Sequence, residues 1–258
     1  MTHSVGKLAI KFPLIFIIPF LLLITSCATT HEDETFEESY KTAAALYEEA
    51  KSALSQEDYE TAIQKLETLE ARFPFGKYAQ QAQLDMAFAY YKFEEPESAI
   101  ASANRFIKLY PRHPYVDYAY YLRGVVKFSQ GVSIFDDFAS QDPAKRDPEA
   151  ARNAFKFFEQ LVKRFPQSKY TQDALQRMKY LRNNLARHEL FAAKHYMARG
   201  ANVAAANRAK YILTHFQYSP STPEALLLLE EAYKNLRLKD LADDTKRIYH
   251  FNFKNNNS

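Results

Sequence analysis

The chain has 258 residues, of which 34 are basic and 31 acidic, and its formal net charge is +3. Since two of the basic residues lie in the N-terminal 26, the remainder is close to neutral, which argues against binding to nucleic acid or to a membrane through a polybasic patch. The single cysteine excludes an intramolecular disulfide, and scarce glycine with long stretches rich in Ala, Leu, Glu and Lys predicts an all-α fold.

The N-terminal 26 residues have the parts of a secretory signal peptide. Lys7 and Lys11 form the basic region, Phe12–Ile24 the apolar region, and a Thr-Ser pair the small residues before the cut. Cys27 follows directly, which predicts a lipoprotein signal and a lipid on this cysteine. A single transmembrane helix is the alternative, but the apolar run of about 13 residues is shorter than the roughly 20 that a span needs, and two prolines interrupt it.

The residues after the cysteine predict a destination and a tether. In the bacterial sorting pattern that this resembles, alanine at the next position, here Ala28, permits export to the outer membrane, whereas aspartate retains a lipoprotein at the inner one. Acyl chains on Cys27 satisfy the two-signal requirement for stable anchoring. Residues 27–39 are mostly polar and acidic and predict a flexible tether, and residues 254–258 predict a disordered tail.

A closing pattern of an aromatic residue, a helix breaker and a short polar turn occurs four times. An alanine stands 12 residues before each breaker, and small residues allow two helices to cross closely, while proline ends a helix. This pattern is typical of tetratricopeptide repeats, which are antiparallel helix pairs stacked in a solenoid. The breakers are Pro74, Pro111, Pro166 and Gln217, and the alanines are Ala62, Ala99, Ala154 and Ala205. We predict a solenoid over 40–253, with repeats at 40–74, 77–111, 115–166, 170–217 and 221–253.

Two of the five repeats are longer than the others. Repeat three predicts an inserted loop near Gln130–Arg146, where glycine and proline interrupt the helical pattern. Repeat four predicts a long first helix over Thr171–Arg199, which contains no Gly or Pro and stops at Gly200. Gly124 lies in a first helix, at a position where close packing would require a very small residue.

The tetratricopeptide register places a set of aromatic side chains and two lysines on the concave groove of the solenoid. Aromatic rings supply large contact area at low entropic cost, and lysine attracts a carboxylate, so the groove would suit an extended peptide with aromatic side chains and a C-terminal carboxylate. The alternative is that the rings belong to the core between helices. The predicted groove residues are Tyr47, Phe88, Tyr91, Tyr118, Tyr121, Phe128, Lys51 and Lys92.

The sequence offers little support for catalysis, a metal or a cofactor. The only cysteine is assigned to the lipid, and His188 and His195, seven residues apart on one helix, are the nearest approach to a ligand pair. No glycine-rich phosphate loop, G-x-S-x-G or H-E-x-x-H motif is present. A cell-wall hydrolase, or a regulator of one, is the alternative from another class and would need two paired carboxylates in a cleft.

Two segments go beyond a generic repeat. One is 145–155, of the form R-D-P-x-x-A-R-x-A-F, and the other is 195–208, of the form Y-x-x-R-G-A-x-V-A-A-x-N-R. Both resemble the BamD family of lipoproteins from the outer-membrane β-barrel assembly machinery. The first would open a helix, with Asp147 as N-cap and Pro148 in the first turn. With the lipoprotein signal and the five repeats, the resemblance covers the whole mature chain.

The resemblance implies a non-catalytic scaffold on the periplasmic side of the outer membrane. It implies docking on the POTRA domains of BamA, binding of BamC and BamE, and receipt of unfolded β-barrel proteins through a C-terminal signal that ends in an aromatic residue. A tetratricopeptide lipoprotein for secretin or pilus assembly is the alternative interaction role.

In the family the C-terminal repeats are tied to BamA, which assigns four residues of repeat four as partner contacts. The alternative for the two arginines among them is charge compensation at a helix end or a local salt bridge. The four residues are Arg199, Asn202, Asn207 and Arg208.

Overall fold

The computed structural model describes residues 41–131, 142, 144 and 147–254. Several of the predicted features lie outside the described residues: the signal peptide, the lipid site at Cys27, the tether 27–39, most of the inserted loop and residues 255–258. The helices belong to one compact unit that begins at Ala43. No helix among the described residues is both long enough and apolar enough to cross a membrane.

The described chain is all-helical, and its ten α-helices follow one another as five antiparallel hairpins, each packed against the next. This confirms the predicted fold class. A short π-helical turn, His250–Lys254, follows the last α-helix. The helices are α1 Ala43–Ser55, α2 Tyr59–Arg72, α3 Lys77–Lys92, α4 Pro96–Leu109, α5 Val116–Gly131, α6 Glu149–Arg164, α7 Thr171–Ala198, α8 Asn202–His215, α9 Thr222–Asn235 and α10 Lys239–Tyr249.

The aromatic residue before each breaker ends the second helix of a hairpin in the same way. Its backbone N–H donates to the carbonyl four residues earlier, at 2.8 Å in all four cases, and that earlier residue is fully buried. The last helical turn is therefore closed before the chain turns towards the next hairpin. The donors are Phe73, Tyr110, Phe165 and Phe216, and the acceptors are Leu69, Phe106, Leu161 and Ile212.

The recurring alanines are fully buried between packed helices, as a close helix crossing requires. Ala62, Ala99, Ala154 and Ala205 have no exposed surface. Gly124 meets a stricter demand, because a Cβ built on it would lie 2.4 Å from Cε1 of Phe158, a distance that real contacts do not show. The ring of Phe158 on α6 thus occupies the space that a side chain at position 124 of α5 would need.

The α6 N-terminus differs in detail from the prediction. The helix begins at Glu149 and its N-cap position is Pro148, whose side chain has no hydrogen-bonding group and makes no cap. Asp147 still satisfies an orphan donor, since its Oδ1 accepts from the backbone N–H of Glu149 at 3.0 Å.

The 28-residue helix α7 is shared by two hydrophobic cores. Ala174 and Leu181, in its first half, pack with the core formed by α3–α6. Ala186, Leu190 and Ala193, in its second half, pack with α8 and α9. We call α1–α6 with the first half of α7 the N-terminal half of the solenoid, and the rest the C-terminal half.

Candidate functional site

The predicted groove rings are neither core residues nor freely exposed. Each of the six is half-buried, with one side packed on a hydrophobic core. They lie on α1, α3 and α5, and these first helices contact one another directly, α1 with α3 and α3 with α5. Each ring therefore contributes to packing and also presents surface, and the groove itself stays a prediction.

Tyr47 is fixed at the N-terminal end of this surface. Its hydroxyl donates to Oδ2 of Asp85 on α3 at 2.8 Å, and its ring lies 5.5 Å from that of Tyr78. Burial and the charge of Asp85 raise the pKa of Tyr47. Lys51 lies 3.9 Å from the same carboxylate, so the predicted anchor for a client carboxylate already has an internal partner.

Tyr121 forms a similar tyrosine–aspartate hydrogen bond two hairpins further along the solenoid. Its hydroxyl donates to Oδ2 of Asp173 on α7 at 2.7 Å, and Nε of Arg177 donates to the same oxygen at 2.6 Å. Burial and the hydrogen bond to Asp173 raise the pKa of Tyr121 to about 12. Arg177 also lies over the ring of Phe128, 4.8 Å from its centroid. A tyrosine, an aspartate and a cation thus recur as a module between first helices.

Tyr170, which the sequence did not single out, joins the predicted rings. It stacks on Tyr121 at 4.7 Å between centroids and lies 5.4 Å from Tyr118. Burial raises the pKa of Tyr118, and the other tyrosines near it, including Tyr91, add to that effect. We call this set the tyrosine row; its members are Tyr47, Tyr91, Tyr118, Tyr121 and Tyr170.

Phe88 and Lys92 face a different neighbour. Phe88 packs edge-on against Tyr59 at 6.5 Å, and the Lys92 ammonium lies 5.6 Å from the centre of the same ring. Tyr59 is the first residue of α2, a second helix. The structure therefore ties these two predicted groove residues to the turn of the first hairpin.

The four predicted partner contacts are clustered at the turn between α7 and α8. Arg199 and Asn207 are exposed, and Oδ1 of Asn202 accepts from the Asn235 amide at 3.1 Å. Arg208 donates to Oε2 of Glu189 at 3.0 Å, and this hydrogen bond raises its pKa. The salt-bridge alternative thus holds for Arg208, although its side chain remains 45% exposed.

Glu189 is a charged residue that the sequence reading missed. Glu189 is only 2% exposed. Its Oε1 accepts a hydrogen bond at 3.0 Å from a second arginine, Arg152 of α6. A signal was present, because position 189 falls between Ala186, Leu190 and Ala193 on the apolar face of α7. A glutamate on that face requires a partner, but the sequence does not show which of the arginines provides it.

The cavity between α2, α3 and α4 bears on the hydrolase alternative. Its volume is about 470 Å³, and two carboxylates, Glu67 and Glu70, line it. Glu67 accepts from the hydroxyl of Tyr90 and Glu70 pairs with Arg105, each at 2.5 Å. Both carboxylates are engaged, so they do not form a free acid–base pair. No group of three potential ligands for a metal occurs in the part of the chain that the structure describes.

Comparisons of this chain with a family model and with individual known proteins point to the same family. Residues 39–248 match the YfiO family, which is described as outer membrane lipoprotein. The chain is 44% identical over 235 residues to the outer membrane protein assembly factor BamD of Neisseria gonorrhoeae, covering 90% of this chain and 88% of that protein. It is 38% identical over 207 residues to the protein of the same name from Vibrio cholerae, covering 80% and 86%.

Among solved structures, the crystal structure of MamA protein is similar to this chain with a TM-score of 0.39 and 14% identity. The match covers 81% of this chain and 90% of that one.

Proposed function

Because the chain belongs to the YfiO family of outer membrane lipoproteins, we propose that it is a scaffold of the BAM complex, which folds and inserts β-barrel proteins. The names of its BamD relatives support this role over secretin or pilus assembly. The scaffold works by contact and without catalysis, since insertion into the membrane supplies the folding energy of the client.

The client binds to the tyrosine row. The main support for this proposal is that the rings of the row are half-buried. One side of each ring is fixed by the core, so little side-chain entropy remains to be lost when a peptide binds. The exposed sides can pack on the aromatic residues of a client C-terminus. Asp85 and Asp173 lie between the rings and can accept hydrogen bonds from backbone N–H groups of an extended chain.

Lys51 remains the best candidate for the client carboxylate. Its side chain is 48% exposed and its 3.9 Å pair with Asp85 is long, so the ammonium can be shared with a second anion. Lys92 is the weaker candidate because it is held over Tyr59.

BamA binds to the other half of the solenoid. Arg199, Asn202, Asn207 and Arg208 offer exposed or half-exposed donors on one turn and the helix that follows it, which suits an acidic surface of the POTRA domains. BamC and BamE are further proposed partners. Cys27 carries the lipid that holds the whole at the periplasmic leaflet of the outer membrane.

Depletion of the protein in its native host tests the scaffold role. We expect outer-membrane levels of β-barrel proteins to fall and BamA to be recovered with the tagged protein; a recovered secretin with normal barrel levels would contradict the proposal. Cys27→Ala, expressed behind a signal peptide whose cleavage does not require lipidation, should be released from the membrane fraction, whereas wild-type protein with its own signal should stay there.

A direct binding test uses a synthetic peptide from the C-terminal strand of a barrel protein, ending in phenylalanine with a free carboxylate. We expect saturable binding that weakens when the last residue is alanine and, to a smaller extent, when the C-terminus is amidated. Equal affinity for all three peptides would contradict an aromatic groove.

A further inference from the structure

The four links between hairpins lie at one edge of the solenoid, which we call the link edge. Because successive helices are antiparallel, the second helix of each hairpin ends at the edge where the first helix of the next hairpin begins. The turns inside the hairpins lie at the opposite edge. In chain order, links 1 to 4 are residues 73–76, 110–115, 165–170 and 216–221.

The two edges carry opposite charge in the N-terminal half. Links 1 to 3, taken with the helical residue on each side of them, contain no Asp or Glu. The turns 56–58 and 93–95, at the opposite edge, each contain two acidic residues and no basic one. The near-neutral total charge of the chain does not reveal this asymmetry. The basic residues of links 1 to 3 and their flanks are Arg72, Lys77, Arg112, Arg164 and Lys169.

Helix dipoles do not account for three of these five cations. Positive charge is favoured at the C-terminal end of a helix and disfavoured at its N-terminal end, which explains Arg72 and Arg164 but not the others. Lys77 is the first residue of α3, Arg112 precedes α5, and Lys169 precedes the N-cap of α7. All three are exposed, and none forms an ion pair with a described residue. Their charge is therefore available to a partner outside the chain.

Large apolar side chains lie beside these cations and are exposed. Phe75 of link 1 is 88% exposed, and Leu109 and Tyr115 at link 2 are 51% and 54% exposed. Link 4 has Tyr218 at 82% but no Lys or Arg. At the surface of an anionic bilayer, rings lie at the level of the headgroups and cations are attracted by the surface potential. Exposed rings next to cations, with no carboxylate between them, fit such a surface.

We propose that the link edge of the N-terminal half binds the anionic phospholipid surface of the membrane in which the chain is anchored. The exposed apolar side chains of links 1 and 2 enter the headgroup region, and the three unpaired cations contact lipid phosphates. The inference takes from the proposed function only the lipid on Cys27, which keeps the membrane close, so that a weak contact is enough to orient the solenoid. The acidic turns of the opposite edge then face away from the membrane.

Vesicle binding by the full mature chain with Cys27→Ala tests the inference without any contribution from acyl chains. We expect the chain to bind vesicles of phosphatidylglycerol and phosphatidylethanolamine but not vesicles of phosphatidylcholine, with an affinity that falls as salt is added. Lys77→Gln, Arg112→Gln and Lys169→Gln together should weaken binding about a hundredfold, at about fivefold for each cation.

The matched control removes the same amount of charge from exposed positions that do not lie on the link edge. It combines Lys156→Gln, Arg237→Gln and Lys239→Gln, and it should retain most of the vesicle binding. An equal loss of binding in the two triple variants would show that only the total charge matters and would overturn the inference.

Tryptophan fluorescence locates the contact, because the chain contains no tryptophan of its own. Phe75→Trp and Tyr115→Trp, on the link edge, should each show blue-shifted emission on the anionic vesicles and quenching by brominated lipid. Phe93→Trp, at a 43% exposed position of the opposite edge, is the matched control and should show neither effect.

Three further results would also overturn the inference: no binding to the anionic vesicles, equal binding to phosphatidylcholine, or equal quenching at positions 75 and 93. None of them affects the proposed scaffold role, because the depletion experiment tests that role in a separate measurement.

Discussion

The two halves of the solenoid both consist of packed helical hairpins, but different side chains fill their hydrophobic cores. The N-terminal half fills its core with rings, including the fully buried Phe106 and Phe158, and surrounds them with half-buried tyrosines. The buried core of the C-terminal half contains only alanine, leucine and isoleucine, with Tyr196, Phe216 and Tyr233 at its margin. Large rings cannot all be enclosed between helices, so the first half surrounds its core with half-buried tyrosines, whereas the second half encloses a core of small aliphatic residues. Both halves also have exposed apolar side chains, such as Tyr115 and Tyr218. The difference fits a division of labour between client and partner.

The largest expected effect comes from replacing a fully buried ring in the core of the N-terminal half. Phe158→Ala should lower the free energy of unfolding by about 4 kcal/mol, because it empties a fully buried ring position. It should also weaken binding of the client peptide, since Phe158 packs against Tyr121 and Phe128. Ile212→Ala, at a fully buried site in the C-terminal half, should cost about 3 kcal/mol and leave peptide binding unchanged. Denaturant unfolding and titration with the peptide measure both effects.

The close approach of α5 and α6 gives the next largest effect. Gly124→Ala should destabilise the protein by about 2 kcal/mol, because the added methyl overlaps the ring of Phe158. Gly124→Ala combined with Phe158→Leu should recover part of that loss, since the smaller side chain leaves room for the methyl. Thermal unfolding of the three proteins provides the measurement, and a double variant less stable than both single ones would argue against this contact.

The hydrogen bond between Tyr121 and Asp173 should give a smaller difference in stability between the two halves. Tyr121→Phe should cost about 1 kcal/mol, because it removes the donor to Asp173 and leaves the ring stack with Tyr170 in place. Tyr211→Phe, on the surface of α8 in the C-terminal half, should change stability by less than about 0.5 kcal/mol. Equal effects of the two changes would show that the hydroxyl of Tyr121 contributes nothing specific.

Alkaline pH should act mainly on the N-terminal half. The pKa of Tyr121 is raised from 10.0 to about 12, so the folded state retains its proton where the unfolded chain has lost it. The stabilisation from this group is therefore complete below pH 10 and is lost as the pH rises from 10 towards 12. Tyr121→Phe should flatten the decline of stability across that interval, and the Tyr211→Phe control should follow the wild-type curve.

The fold could be predicted because its signals are local. An aromatic residue before a breaker and an alanine at a fixed offset mark the same helix end and the same crossing in several hairpins, and Gly124 marked a close approach without its partner being known. The site was less predictable, because helical register indicates the face on which Tyr47 or Tyr121 lies but not how far the next helix covers it. The aspartates that hold those hydroxyls are 38 and 52 residues away, and no spacing rule connects them.

The salt bridges of Glu189 with Arg152 and Arg208 show this limit of sequence-based prediction more clearly. Arg152 and Arg208 were both inside segments that carry the family resemblance, yet their common partner Glu189 lies outside both. A buried glutamate can be suspected from its place on an apolar helix face, but its two arginines come from different hairpins, and only the packing of α6 and α8 on α7 brings them together.

The division of labour is tested most directly by measuring two affinities on two variants. Tyr91→Ala, in the tyrosine row, should weaken binding of the barrel C-terminal peptide and leave binding of the BamA POTRA domains unchanged. Arg199→Ala, at the α7–α8 turn, should weaken POTRA binding and leave peptide binding unchanged. A peptide affinity that does not respond to Tyr91→Ala, or a loss of both affinities in both variants, would contradict the account.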